Sequence, residues 1–312
     1  MSLWPWDAPL LHAAVLLAAL LWDRFLGEPP VRLHPVVWMG NAIGWMRARA
    51  PASPAAAFAW GALMAVVLPL GAALLSLPVL VPFVGPFIAV WLLTSCFAAR
   101  GLTDAGLRVA EALRSGDLEA GRAGLGWLCS RDPSALGATE VAAAATESGA
   151  ENSSDSLVAP LLWYAIGGLP AALAYRCVNT LDAMVGYRGK YEWLGKASAR
   201  LDDLLNLVPA RLTALLLLAS GGARRRGLQV LWRDRGRTES PNAGWPMAAM
   251  AGLVGVSLSK VGHYTLGAGL GPCTPAALEQ ASVICDRAMR GFALLLLGLL
   301  LLGAAAQGAP WG

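Results

Sequence analysis

The chain has 312 residues, 56% of them hydrophobic and only 14% charged, with a formal net charge of +4 and a mean hydropathy of +0.54. A soluble domain carries about a quarter charged residues, so this composition excludes an ordinary soluble globular protein and points to one polytopic membrane unit over residues 1–312. Apart from Lys190, Lys196 and Lys260 the basic residues are arginines, and no basic run alternates with aromatics, so nucleic acid is not an expected partner.

From the N-terminus, apolar stretches long enough for a hydrocarbon core of roughly 30 Å fall at about 8–22, 55–76, 78–99 and 289–308. The second and third would meet in a tight turn near Leu77-Pro78. No basic n-region precedes the first, so no cleavable signal is expected. Further apolar segments at 157–178, 207–222 and 245–262 are short, or broken by Pro160, Gly167-Gly168 and Pro170. They read as short or re-entrant helices, which a membrane tolerates where protein covers the backbone or a cavity is lined.

The expected fold class is therefore all-α: about four full transmembrane helices, short or re-entrant helices, and a cytoplasmic helical insertion at about 100–156. Within that insertion Leu102, Leu107, Ala110 and Leu113 form a helical stripe, Asp117 is a candidate N-cap, and an Ala-rich helix starts near Gly137. No strand pattern is evident. Arginine-rich loops at 24–49, 100–131, 188–200 and 224–237 place those segments on the cytoplasmic side by the positive-inside rule, with both termini outside. The cysteines (Cys96, Cys129, Cys177, Cys273, Cys285) form no C-x-x-C pair and His12, His34 and His263 are scattered, which fits buried thiols and no zinc site.

Polar residues gather in short runs beside this apolar material, at 147–155, 179–182 and 199–211. Burying carboxylates there is costly unless they bind something, so the runs read as a reaction site at a membrane face. On a continuing helix Glu147, Glu151 and Asp155 would share one face, beside Asn152 and Ser153. Three carboxylates on one stripe call for a cation, and Mg²⁺ with nucleotide phosphates suits them. The same residues also suit a helix end, because Gly149 and the Asn-Ser-Ser run can break the helix.

Other runs are equally two-sided. Asn179 and Asp182 suit a ligand or a helix–helix hydrogen bond. Asp202 and Asp203, between Arg200 and Arg211, point to different faces, so at least one can enter a buried ion pair. Tyr187-Arg188-Gly-Lys190-Tyr191 suits an anion or a solvated loop. In the 240–247 run Asn242 offers donors and acceptors and Trp245 a stacking face, although a capped helix entry uses such residues too. Gly195-Lys196-Ala197-Ser198 is no P-loop, since Lys190 stands where the first glycine belongs and Ala197 lacks the hydroxyl.

Taken together and in order, these runs resemble the cobalamin-biosynthesis membrane protein family CobD/CbiB, adenosylcobinamide-phosphate synthase. The resemblance rests on Gly-Glu-Pro…His-Pro-Val at 27–36, Ser-Arg-Asp at 130–132, Glu-Ser-x-x-Glu-Asn-x-Ser-Asp at 147–155 and Tyr-Arg-x-x-Asn-Thr-Leu-Asp-x-Met-Val-Gly-Tyr at 175–187. It continues through Ala-Ser-Ala-Arg-Leu-Asp-Asp at 197–203, Val-Pro-Ala-Arg-Leu-Thr at 208–213 and Ser-Pro-Asn-Ala-Gly-Trp-Pro-Met at 240–247. Glu28 replaces the usual aspartate and Ser156 the usual glycine.

The resemblance implies an enzyme of the bacterial inner membrane, with its site facing the cytoplasm. It would join aminopropanol, or its O-phosphate, to the free carboxylate of adenosylcobyric acid, a corrinoid, using ATP and Mg²⁺ through an acyl phosphate. Glu147, Glu151 and Asp155 would then hold Mg²⁺, with Asp155 also catalytic. Arg188, Lys190 and Arg200 would neutralise phosphate or align the carboxylate, and Asp182, Asp202 or Asp203 would act as general base. Asn179, Asn242 and Trp245 would contact the corrin, and His34, Asp132, Asn152, Tyr187 and Arg211 complete the binding set. Without a P-loop, a soluble cobalamin-pathway partner can supply part of the nucleotide site. Two other classes compete: a non-catalytic membrane sensor like the AmpE family, which would lack the polar runs, and a Mg²⁺-dependent prenyl- or alcohol-phosphotransferase. The latter needs a D-x-x-x-D pattern, but position 186 is glycine.

Overall fold

Long uninterrupted apolar stretches can satisfy their backbone within lipid only as helices, and helices dominate the protein. A computed structural model describes residues 9–129, 132–187, 189–260 and 262–308. Four helical stretches are long and apolar enough to cross a membrane: Pro54–Leu80, Gly85–Arg114, Ala138–Val185 and Pro275–Ala306. Lys196–Leu205 with Leu207–Ser220 passes the same test as a pair, as a broken span or a re-entrant loop. The protein is thus an all-α polytopic membrane protein, as its composition requires.

The chain divides into two compact units, each assembled from separate stretches of sequence. The first comprises residues 1–98, 159–205 and 293–312. It holds α1 (Pro9–Phe25), α2 (Pro35–Arg47), α3 (Pro54–Leu74), α4 (Gly85–Thr94), α8 (Ala159–Val185) and α9 (Lys196–Leu205), with the end of α13 (Pro275–Gly308). The first expected span is α1, a helix of 17 residues that stops at Phe25. The turn expected at Leu77-Pro78 is a 3-10 turn, Leu77–Leu80, followed by Phe83 at φ +64°.

Helix α8 packs against α2, α3, α4 and α9. Ile43, Met46, Met64, Leu181, Val185 and Leu194 form a core there. Backbones approach closely at this core: a Cβ on Gly61 would lie 1.9 Å from the Leu194 carbonyl oxygen, and one on Gly195 1.8 Å from that of Val185. Only glycine fits either place, and both fix Leu194 and Gly195 against the helices.

The second unit comprises 99–158 and 206–292. It contains α5 (Ala99–Arg114), α6 (Leu118–Leu125), α7 (Ala138–Ser153), α10 (Leu207–Ser220), α11 (Arg224–Asp234), α12 (Gly244–Val254) and the start of α13. Asp117 caps α6 as expected, accepting from the Ala120 N–H at 2.9 Å. Helix α12 is almost wholly buried against α7, α10 and α11. A small antiparallel hairpin, β1 (Leu258–Lys260) with β2 (Tyr264–Leu266), was not expected from the sequence. Its anchor is Asp234, whose side chain is fully buried and accepts the Gly267 N–H at 2.7 Å.

The segment expected to stand alone at 157–178 lies inside the continuous stretch Ala138–Val185. Between α7 and α8 comes a π turn, Ser154–Val158. A kink follows at Gly167–Gly168, where φ of +68° at Gly168 needs glycine. Gly149 and the Asn-Ser-Ser run therefore do not end the helix. The chain absorbs them by widening one turn, an arrangement frequent at functional sites.

Candidate active site

In the first unit, α8 carries a polar ladder along an otherwise apolar helix. Arg176 Nη1 donates to Asn179 Oδ1 at 3.4 Å, and Asn179 Nδ2 donates across to Asp202 Oδ1 on α9 at 3.5 Å. Arg176 is half-buried, and its Nε has no hydrogen-bond partner among the described residues. Asp182 sits one turn on, its carboxylate packed where a Cβ on Gly186 would be 2.0 Å from Oδ1. Asp203 is half-buried and Arg200 exposed on α9.

His34 caps α2 by accepting the Val36 N–H on Nδ1 at 3.3 Å. Its Nε2 faces Glu28 at 3.8 Å. Burial holds its pKa below the ordinary imidazole value; Glu28 opposes this and the Arg176 charge adds to it. The Val36 bond occupies Nδ1 as an acceptor, which leaves Nε2 to carry the ring proton of the neutral form. In the 186–195 loop Tyr187 and Lys190 are exposed, and Lys190 lies 5.2 Å from the Tyr191 ring centroid. Arg188 lies outside the described residues.

In the second unit, Glu147 is buried on α7 at 3% exposure, while Glu151 and Asp155 are half-buried. Among the described residues no three His, Cys, Asp or Glu side chains gather as a metal group. The π turn Ser154–Val158 begins just before Asp155, the last of the three carboxylates. The donor chemistry still fits Mg²⁺, a hard cation commonly held by one or two carboxylates together with substrate phosphates. Asn152 donates to the Leu128 carbonyl at 3.0 Å and so ties α7 to the end of the α6 turn. Asp132 is exposed in an Asx turn; hydrogen bonds from Ser134, chiefly its backbone N–H at 2.9 Å, hold the carboxyl below the usual range.

Three expected residues from distant runs do meet. Arg211 Nη1 donates to Asn242 Oδ1, and Nη2 to the Pro241 carbonyl at 3.1 Å. Its guanidinium carbon lies 4.7 Å from the Trp245 centroid. Sequence reasoning missed Arg235 and Trp232, which complete this cluster, and Arg176 in the other unit. Arg176 stood within the Tyr-Arg-x-x-Asn run, and a cation inside an apolar helix is the signal that marks it. No comparable signal marked Trp232. A recess of about 610 Å³ between α1 and α4 is lined by aliphatic and aromatic side chains such as Leu11, Trp22 and Phe87, and offers no chemistry.

These features define a polytopic helical membrane protein with polar, partly buried clusters of Arg, Asn and Asp. The CobD/Cbib protein family model matches residues 16–285, and the chain belongs to that family. The cobalamin biosynthesis protein CobD of Dehalococcoides mccartyi is 39% identical over 300 residues, covering 92% of this chain and 96% of its own. A probable cobalamin biosynthesis protein CobD of Thermococcus kodakarensis is 44% identical over 262 residues, 81% of this chain and 85% of its own. The CobD protein of Yersinia enterocolitica is 39% identical over 260 residues, 79% and 82% respectively. No solved structure matches the chain.

Proposed function

We propose that this protein acts in cobalamin biosynthesis as an amide synthase of the bacterial inner membrane, its site open to the cytoplasm. It joins adenosylcobyric acid to aminopropanol or its O-phosphate. The observation that carries this reading is the hydrogen-bonded set Arg176–Asn179–Asp202, which places a cation and a carboxylate on adjoining helices of a family member.

An acid and an amine form a salt at neutral pH, so the reaction needs the acid activated and the amine deprotonated. ATP with Mg²⁺ would supply the phosphoryl group that turns a carboxylate oxygen into a leaving group. The chain's own residues do the rest. Arg176, with a buried donor to spare, binds the acid's carboxylate. Asp202 takes the proton from the amine nitrogen as it attacks, and Asn179 orients that carboxylate through its Nδ2 donor. Exposed Lys190 and Arg200 offset phosphate charge.

The direct test is to incubate purified protein in nanodiscs with adenosylcobyric acid, ATP, Mg²⁺ and either amine, following product mass. A cobinamide-type product that disappears in Asp202→Asn supports the reading. Absence of any amide product with both amines overturns it.

A further inference from the structure

Arg211 and Arg235 come from different elements, yet both lie over the ring of Trp245, with guanidinium carbons 4.7 and 5.4 Å from its centroid. Arg235 also stacks on Trp232 at 4.1 Å, and the two indoles meet edge-on with centroids 5.9 Å apart. Among the described residues neither arginine has a carboxylate partner, whereas Arg233 and Arg237 both pair with Asp234, at 2.8 and 3.0 Å. Arginines in the same stretch of chain thus divide into two that are neutralised and one that is not.

Both unneutralised side chains are already fixed in place. Arg211 bonds Asn242 and the Pro241 carbonyl, and Arg235 donates to the Trp232 carbonyl. A guanidinium has five N–H donors, so each retains donors for a ligand, and much of the ordering cost of binding is already met. Trp232 is 55% exposed, so the patch is open. A guanidinium with donors to spare can grip a phosphate with paired bonds.

We propose that Arg211 and Arg235, held on Trp245 and Trp232, form a subsite for a phosphoryl group. The group can arrive on a small substrate, aminopropanol phosphate or ATP, or on the headgroup of an anionic lipid; the recognition chemistry is the same. The subsite rests on the reaction proposed above only for its choice of small probes.

Full-length protein in phosphatidylcholine nanodiscs is titrated calorimetrically with aminopropanol phosphate, ATP and inorganic phosphate, with no turnover required. A parallel arm measures retention of phosphatidylglycerol by native mass spectrometry. Arg235→Gln and Arg211→Gln should each weaken binding about tenfold or more, the loss of a charge-assisted bond. Arg235→Lys, which keeps the charge and loses the planar fork, should fall between these and the parent. Arg225→Gln, exposed on α11, should change nothing. Losses confined to the small probes assign the subsite to substrate, and losses confined to phosphatidylglycerol assign it to lipid. If the folded Arg235 and Arg211 variants match the parent in both arms, the subsite is overturned. Phosphate binding here by a protein that makes no amide would instead overturn the reaction and leave the subsite standing.

Discussion

On α8 and α9, Arg176, Asn179 and Asp202 are bonded side chain to side chain, at 3.4 and 3.5 Å. In the second unit Arg211 and Arg235 lie instead on indole faces, with an amide and backbone carbonyls as partners. The first arrangement couples three groups on two helices, so removing one perturbs the others. The second leaves cations whole and donors unspent. A bonded network suits moving a proton, and a stacked, unpaired pair of cations suits holding a ligand.

The sharpest way to break this contrast is Asp202→Asn, which removes the base and keeps the shape. Turnover should fall by about 100-fold or more, with little change in phosphate affinity. Equal losses in turnover and phosphate binding would erase the distinction. Next comes the backbone that seats the network. Gly195→Ala puts a Cβ 1.8 Å from the Val185 carbonyl oxygen, and about 3 kcal/mol of stability should be lost, read as a lowered thermal midpoint. Gly236→Ala, beside Arg235 with no atom within 4 Å of a new Cβ, should be close to neutral by the same measurement.

Asp234 offers a smaller and pH-dependent effect. Burial alone would raise its carboxyl, but bonds from Arg233 and the Gly267 N–H, with the charges of Arg233 and Arg237, hold it below the ordinary value. Since the folded value lies beneath the unfolded one, its stabilisation is present above about pH 4 and is lost as pH falls through the folded value. Asp234→Asn should cost about 2 kcal/mol at pH 7, with the arginines' half-exposure limiting the loss. It should also flatten the acid limb of a thermal-midpoint profile. Smallest of all is the response of Cys273, whose thiol burial pushes up to about 11, partly offset by Thr146 and reinforced by Glu147. It should resist iodoacetamide at pH 8 while the protein is folded, as mass spectrometry of the labelled peptide would show.

Local features of the sequence were legible where one helix decided them. Of the stripe expected on α5, Ala110 and Leu113 are buried and Leu102 and Leu107 half-buried, and Asp117 caps α6. Gly149 and the Asn-Ser-Ser run misled because breaker residues report local preference, while a π turn keeps the helix going at the cost of its register. The meeting of Arg211 with Asn242 and Trp245 was legible only as separate runs. Trp232 and Arg235 joined them through tertiary packing of α11 on α12, where a Cβ on Gly252 would stand 2.7 Å from Gly227 Cα. The hairpin at 258–266 was missed because three-residue strands carry almost no periodicity.

Neither unit is a contiguous piece of chain. The first needs residues from 159–205 and 293–308 to complete what 9–98 begins, and the second joins 99–158 to 206–292. During synthesis α3 and α4 must therefore wait in the bilayer, partly unpartnered, until α8 follows them out of the translocation machinery. Assembly of the first unit is a closing event governed by α8, and the helices made before it depend on the membrane for cover until then.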